Sequence, residues 1–396
     1  MTDAALVAGA GIGGLTVALA LTRCGIGVTL FEQAERLEEI GAGIQLSPNA
    51  TRALIALGLA ERLKPLIVQP IAVRLRSGLS GREIATMGLD AATLERYGAP
   101  YWLIHRADLQ KALVGALADE PRAALILGAA VRNFRIDATG LRVVVHRGAT
   151  KAEADHGGAV LIGADGLWSH LRGLLGDSSA PRFAGRCAFR ALVPADQLLP
   201  QDREPIVNLW IGPDGHLVHY PIRAGAAVNI VAVCRDRWQS PAWSAGIQRD
   251  EVLERFPASA WTTAVRQLLA VPERWQKWAL CDRPPSRSWG RGPVTLLGDA
   301  AHPMLPFLAQ GAAMGIEDAI VLARELVRSP GDYAAALRNY ETDRRPRTAR
   351  MQREARRSDL YYHLRQPAAF MRDIGLRAFG GKRLLARYDW IYGWEP

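Results

Sequence analysis

The strongest constraint on the fold lies in the first 32 residues. A β-prone run, Leu6-Val7-Ala8, leads directly into Gly9-Ala10-Gly11-Ile12-Gly13-Gly14, and a helical pattern follows from Leu15 to Arg23. A second short strand, Val28 to Phe31, ends on Glu32, 18 positions after Gly14. This order predicts a βαβ unit. Gly9 permits the tight turn, Gly11 lets a pyrophosphate approach the backbone, and Gly14 allows close packing of the helix, with Gly13 in the same turn. The free N–H groups at the helix start favour an anion, and Glu32 is placed to accept hydrogen bonds from a ribose. The expectation is a dinucleotide site formed by Gly9, Gly11, Gly13, Gly14 and Glu32. The motif alone leaves open whether the dinucleotide is NAD or FAD.

Composition narrows the class. A chain of 396 residues, 49% of them hydrophobic, can bury a large core and fits a two-domain enzyme better than one small module. The apolar stretch Ala4 to Leu21 follows Asp3 with no Lys or Arg before it, and four glycines interrupt it. Neither a signal peptide nor a membrane span is expected. The four cysteines, Cys24, Cys187, Cys234 and Cys281, are scattered without metal-ligand spacing, so no metal is expected and a reducing cytoplasm is. The net charge is +10, and Arg344, Arg345, Arg347, Arg350, Arg353, Arg356 and Arg357 form a dense cluster read as a solvated helix face. Elsewhere Asp and Glu interleave with the basic residues, which speaks against nucleic-acid binding. A basic surface also suits electrostatic capture of NAD(P)H and carboxylated aromatics.

Along the chain, Tyr101 to Ala118 reads as helix, and Leu141 to Val145 and Ala159 to Ile162 as strands returning to the first sheet. The alternation blurs between about 70 and 100. From about 181 to 280 the texture is β-rich, with Val207 to Ile211, Leu217 to Ile222 and Val228 to Val233 predicting an antiparallel sheet. Val294 to Leu297 reads as a buried strand, and Ile316, Ile320, Ala323 and Val327 recur at helical spacing. The fold class expected is α/β: a discontinuous Rossmann-like domain (1–70, 101–180 and 281–345), an inserted mainly antiparallel β-sheet domain (71–100 and 181–280), and a C-terminal helical region (346–396). The aromatic tail Tyr388-Asp389-Trp390-Ile391-Tyr392-Gly393-Trp394 is read as a packing or dimer element.

Two further turns carry chemistry: Gly163-Ala164-Asp165-Gly166 in the middle of the chain and Leu297-Gly298-Asp299-Ala300-Ala301-His302-Pro303 late in it. Together with the N-terminal turn, in this order, they resemble the fingerprints of single-component FAD-dependent aromatic hydroxylases of the p-hydroxybenzoate hydroxylase group. In motifs the chain is most similar to 3-hydroxybenzoate, salicylate and 6-hydroxynicotinate hydroxylases. The resemblance spans nearly the whole chain and implies that the dinucleotide is FAD. It implies that Asp299 binds the ribitol and that the helix after it, with Gly311 and Ala312 at its start, directs backbone N–H groups at the flavin ring. It also implies flavin contacts for Gln45, in Gly41-Ala42-Gly43-Ile44-Gln45, and for Arg106, in Ile104-His105-Arg106. Asp165 is either part of flavin handling or an Asx-type turn at a strand end.

Only one such glycine motif is present, so NAD(P)H is expected to bind transiently in a groove, with NADH favoured by analogy. Arg190 is a candidate for nicotinamide or substrate carboxylate. His302 is a second candidate, or else it holds the turn. In Gly215-His216-Leu217-Val218-His219-Tyr220, strand period two puts His216, Val218 and Tyr220 on one face and His219 on the other. Related hydroxylases carry a similar His-x-x-x-Tyr strand facing the substrate. The resemblance implies that His216, titrating near neutrality, takes a phenolic proton while Tyr220 orients the ring. Pro306 and Phe307 stand where some relatives carry His or Gln. The implied reaction uses NAD(P)H and O2 to hydroxylate an aromatic ring, such as a phenolic or hydroxypyridine carboxylate, through a flavin C4a-hydroperoxide. The alternatives are a tailoring monooxygenase on a larger quinone or polyketide, a non-oxygenating flavoprotein reductase, and a flavin-holding sensor.

Overall fold

The structure, a computed structural model, describes residues 4–37, 42–138, 140–148, 152–238 and 243–395. Asp3 and Gly41, used in the sequence reading, lie outside them. The N-terminal unit forms as expected: β1 (Ala5–Ala8), α1 (Ile12–Arg23) and β2 (Val28–Phe31). Helix α1 is buried along nearly its whole length, and Leu15, Leu19 and Leu21 are fully enclosed. Truncating any of them to alanine would cost about 2–5 kcal/mol.

The chain continues through β3 (Gly43–Leu46), α2 (Pro48–Ala56), α3 (Ala60–Leu63), β4 (Ala72–Ser77), β5 (Glu83–Gly88) and α4 (Ala91–Tyr97). Next come β6 (Trp102–His105), α5 (Arg106–Ala118) and β7 (Ala123–Ile126). The helix expected over Tyr101–Ala118 therefore starts only at Arg106. Trp102, Leu103 and Ile104 are bulky and all buried, and they pair antiparallel with β3 instead.

The strands β8 (Ala129–Asp137), β9 (Gly140–Arg147) and β10 (Ala152–Gly158) make a separate antiparallel sheet. This corrects the expectation that Leu141–Val145 returns to the first sheet. Leu141, Val143 and Val145 are buried in alternation with more exposed neighbours, the signature of a sheet covered on one face. Only β11 (Val160–Gly163) rejoins β1. With β18 (Val294–Leu296) it completes a five-stranded, all-parallel sheet of order β18-β11-β1-β2-β7. Residues more than 280 positions apart thus share one sheet, and their turns converge at its carboxyl edge, where ligands bind in folds of this kind.

After α6 (His170–Leu174), the segments β12 (Arg182–Pro194), β13 (Ile206–Gly212), β14 (Gly215–Ile222), β15 (Ala227–Arg235) and β16 (Ser244–Gln248) follow. Then come α7 (Arg249–Arg255), α8 (Thr263–Ala270) and β17 (Arg274–Asp282). These strands join β4 and β5 in an eight-stranded sheet of order β16-β17-β12-β15-β14-β13-β4-β5, antiparallel except for β13 beside β4. Helices α9 (Gly311–Arg328), α10 (Tyr333–Tyr362), α11 (Ala368–Ala386) and α12 (Asp389–Tyr392) close the chain.

The arginine cluster on α10 is only in part a solvated face: Arg353 and Arg357 are exposed, whereas others are tied down. Arg344 is fully buried between Glu317 and Asp318 of α9, at 2.7 Å from each, and Arg347 also pairs with Glu317. Arg356 makes a bidentate pair with Asp282, and Arg350 lies 3.8 Å over the Trp390 ring. The arginines fasten α10 to α9, to the large sheet and to the aromatic tail.

Candidate active site

The glycine turn is built by exclusion. Gly9 has φ +101°, and a Cβ there would stand 2.5 Å from the Ala164 carbonyl oxygen. A Cβ on Gly14 would come within 1.9 Å of the Gly9 carbonyl oxygen, and one on Gly13 within 2.8 Å of Leu297. Gly11 differs, because a Cβ there would meet nothing within 4 Å. That open space over the N-terminus of α1 is a cradle of the kind a pyrophosphate fills. Glu32 accepts hydrogen bonds from Ala10 N (2.7 Å) and Ala34 N (2.9 Å), one on each oxygen. Each oxygen keeps a further lone pair for ribose hydroxyls.

The late turn meets the early one. A Cβ on Gly315 would lie 3.7 Å from the Cα atoms of both Gly13 and Gly298, so α9, α1 and the Asp299 turn touch backbone to backbone. Asp299 opens into the cleft yet sits deep in the protein. Burial raises its carboxyl above the ordinary range, and His302 and Arg106 partly offset this. Gly311 begins α9, and a Cβ there would stand 3.9 Å from Asp299 Oδ1. Gly311 and Ala312 thus occupy the first turn of an 18-residue helix that carries no acidic side chain in that turn, with Asp299 beside its start.

His302 faces neither of the two cavities described below. Its Nε2 lies 2.5 Å from Asp318, whose other oxygen takes Arg344, and the ring packs against Trp289. Burial alone would raise the Asp318 carboxyl, but His302 and Arg344 hold it below its usual value. Asp318 also accepts from Gly298 N (3.0 Å). The expected direct role of His302 toward substrate or nicotinamide is therefore replaced by a supporting one: with Asp318 it fixes the turn that presents Asp299. Asp165 shows its turn role as well, since Oδ2 accepts from His170 N (2.8 Å) and Leu171 N (3.1 Å) at the start of α6.

Two cavities flank β3. One, of about 380 Å³, is lined by Ala42, Arg190, Gln248, Arg274, Gln276 and Trp278 among others. The Arg190 guanidinium lies 5.5 Å over the Trp278 ring, and its Nε has no hydrogen-bond partner among the described residues. Burial, with Arg106 nearby, lowers it to about 10. A desolvated guanidinium of this kind suits an anionic or carboxamide ligand.

The other cavity, also about 380 Å³, lies between the large sheet and the C-terminal helices. Gln45, Tyr101, His216 and Val218 line it from one side, Pro306, Phe307 and Leu308 from the α9 approach, and Tyr361, Tyr362, Arg387 and Tyr388 from the C-terminal helices. The aromatic tail does more than pack, because Trp390, Ile391 and Tyr392 form part of this wall. His216 and Val218 face the cavity together, as strand period two requires. Tyr220 is not among the lining residues; it is buried against Gly43, hydrogen-bonded to Gln45 and close to Arg190. It steadies Gln45, whose Oε1 also accepts from Tyr101 Oη (2.8 Å). His219 lies on the opposite face beside Trp210, and burial takes it from the usual 6.5 down to about 3.

His216 does not titrate near neutrality. Burial first, then His363 and Arg186, hold it well below 6.5, so it is neutral at pH 7. Its Nδ1 lies 2.8 Å from Nε2 of His363, whose Nδ1 lies 3.0 Å from Asp359 Oδ1. Asp359 in turn pairs with Arg186. Phe307 and Tyr362 meet the His216 ring edge-on at 5.4 and 5.7 Å. Sequence reasoning missed His363, Asp359, Tyr101 and Tyr362. The i,i+4 spacing of Asp359 and His363 at the end of α10 was the available signal.

Comparison with known proteins identifies the family. The FAD binding domain family matches residues 1–355. 3-Hydroxybenzoate 6-hydroxylase 1 of Aquipseudomonas alcaligenes is 38% identical over 391 residues, covering 98% of this chain and 97% of that protein. A 3-amino-4-hydroxybenzoate 2-monooxygenase of Streptomyces platensis is 40% identical over 394 residues, covering 98% and 95%. A solved salicylate hydroxylase substrate complex superposes with a TM-score of 0.82 at 28% identity, covering 100% of this chain and 97% of that one. The chain belongs to the FAD binding domain family and, within it, to the FAD-dependent aromatic hydroxylases.

Proposed function

We propose that the protein hydroxylates a single-ring phenolic or hydroxypyridine carboxylate, with NADH as the favoured reductant and O2 as the oxygen source. The observation that carries this reading is the second cavity. It has room for one ring, an aromatic wall, and a neutral histidine facing inward. FAD, when bound, supplies the electron transfer and oxygen activation. The chain's own residues bind, orient and deprotonate.

Gly9, Gly11, Gly13, Gly14 and Glu32 would hold the pyrophosphate and ribose. Asp299 would take the ribitol, and Gly311, Ala312, Gln45 and Arg106 the flavin ring. His216 is the base for the ring hydroxyl, and Tyr220 keeps Gln45 in place beside it. Of the two arginines lining the cavity, Arg357 already faces a carboxylate, Glu354 (2.6 Å), whereas Arg387 meets the neutral phenol of Tyr361, so Arg387 is the partner proposed for a substrate carboxylate. Arg190, in the neighbouring cavity, is the residue proposed for the nicotinamide.

Among the described residues no helix is long and apolar enough to cross a membrane, and all four cysteines are free. A cytoplasmic setting fits the unpaired thiols. The exposed apolar side chains Phe370, Met371 and Phe379 of α11 support pairing with a second copy. The test is His216→Ala: FAD content should stay at the wild-type level while hydroxylation of 3-hydroxybenzoate or salicylate falls at least ~100-fold. Wild-type hydroxylation by this variant would remove His216 from the reaction.

A further inference from the structure

We propose that His363 and Asp359 form a proton relay behind His216, fixing which of its ring nitrogens is bare and carrying the substrate proton out of the cavity. The inference rests on the reading of the cavity as a phenol site and concerns residues that reading does not use.

The direction of each hydrogen bond follows from chemistry. Asp359 is a carboxylate, which only accepts, and it already faces the Arg186 guanidinium. The proton between Asp359 Oδ1 and His363 Nδ1, 3.0 Å apart, therefore belongs to His363. A neutral His363 protonated at Nδ1 has a bare Nε2, which can only accept. His216 Nδ1, 2.8 Å away, must then be the donor. Its Nε2 is left bare, and His216 lines the cavity. A carboxylate two residues removed from the substrate thus sets the base to the one tautomer that can take a proton.

The same chain disposes of the proton. As the phenol O–H bond breaks, a new N–H bond forms at His216 Nε2. The Nδ1 proton of His216 passes to His363 Nε2, and the Nδ1 proton of His363 passes to Asp359. No electrons change hands. Asp359 is 18% exposed at its side chain, whereas His363 is almost enclosed, so Asp359 is where the path meets solvent. The relay answers the difficulty that His216, buried and next to Arg186, cannot hold a positive charge at neutral pH. It need not, because a proton arrives at one nitrogen as another leaves. The charged and titratable groups around His363 are His216 on β14, Arg186 on β12, and Asp359 and Tyr362 on α10. Arg186 also bonds the Asp214 carbonyl (2.8 Å), which braces the outer end of the path. His363 and Asp359 are positioning residues, since neither lines the cavity.

The test uses FAD-loaded protein and reads ionisation of bound 3-hydroxybenzoate from its ultraviolet difference spectrum at pH 7, without NADH. Wild type should bind it as phenolate. In Asp359→Asn the amide oxygen stays on the Arg186 guanidinium and still accepts from His363 Nδ1, but the amide cannot take up a proton, so the path has no end. Bound ligand should then stay neutral, and hydroxylation should fall at least ~10-fold with KM changed less than ~3-fold. His363→Phe, which keeps the ring volume, should give the same loss and serves if Asp359→Asn does not fold. His363→Gln, whose Oε1 can still accept from His216 Nδ1, should retain more ionisation than His363→Phe. A purely structural role would not produce that ranking. Wild-type ionisation and turnover in both Asp359→Asn and His363→Phe would overturn the relay while leaving the phenol site standing. Neutral ligand in the wild type itself would remove the phenol-site reading and the relay with it.

Discussion

Replacing Arg344 by leucine removes the one cation among the described residues that touches both Glu317 and Asp318 in the interior, where all three side chains are enclosed. Arg347 still meets Glu317 and His302 still meets Asp318, so neither carboxylate becomes wholly unpaired. Breaking a buried pair from one side typically costs ~3–5 kcal/mol. With an unfolding entropy of about 2.1 cal/mol/K per residue, a chain of 396 residues should lose about 4–6 °C in Tm. The loss should also reach the cofactor. Asp318 accepts from the Gly298 amide and from His302, so a loosened Asp318 frees the turn that presents Asp299. FAD affinity should fall about tenfold, the lower end of what loss of a supporting partner does to a bound group. The assay is thermal unfolding of the apoprotein, followed by titration with FAD against flavin fluorescence. Arg353→Leu, on the exposed face of the same helix, is the control and should change stability by no more than ~0.5 kcal/mol. If Arg344→Leu melts with the wild type and binds FAD as well, the cluster does not support the site and the argument fails.

Three further outcomes follow from the same geometry. Gly11→Ala should leave apoprotein stability within ~0.5 kcal/mol, because its Cβ meets open space, yet lower FAD affinity by filling the cradle; equal FAD affinity would move the pyrophosphate elsewhere. Burial keeps His219 neutral in the fold, with its value at about 3, whereas the unfolded chain protonates it below about 6.5. The unfolded state therefore binds more protons as pH falls from 6.5, and by pH 5 His219 should cost ~2 kcal/mol of stability. His219→Leu should show that much less acid destabilisation in urea titrations at pH 7 and pH 5, and identical pH dependence would refute the assignment. Arg387→Met should raise KM for hydroxybenzoates while leaving kcat within ~3-fold, since it removes binding shared by ground and transition states; an unchanged KM would place the carboxylate against another residue.

The parts of the site legible in the sequence are those whose chemistry is local. A strand, a glycine turn and a helix within 32 residues declare themselves, because Gly14 is required by the Gly9 carbonyl inside the same turn and Gly9 by its own φ of +101°. The strand carrying His216 and Val218 is likewise readable from period two alone. What stayed hidden depends on distant partners. Trp102–His105 looks helical until β3 offers it a ladder, and Leu141–Val145 looks parallel until β8 and β10 flank it. The arginines of α10 read as solvated because their acids, Glu317, Asp318 and Asp282, lie 26 to 74 positions away. His216 was given an ordinary titration because nothing near it in sequence shows its burial or the approach of His363, 147 residues on.

The proposed function couples NAD(P)H oxidation to hydroxylation of a small aromatic acid. The most direct measurement follows NADH and NADPH consumption by the FAD-loaded protein with 3-hydroxybenzoate, salicylate and a hydroxynicotinate, quantifying hydroxylated product and hydrogen peroxide together. The expected result is that at least one of these acids accelerates nicotinamide oxidation and yields an equimolar hydroxylated product with little peroxide. Acceleration that yields only peroxide, or no acceleration by any aromatic acid, would contradict it.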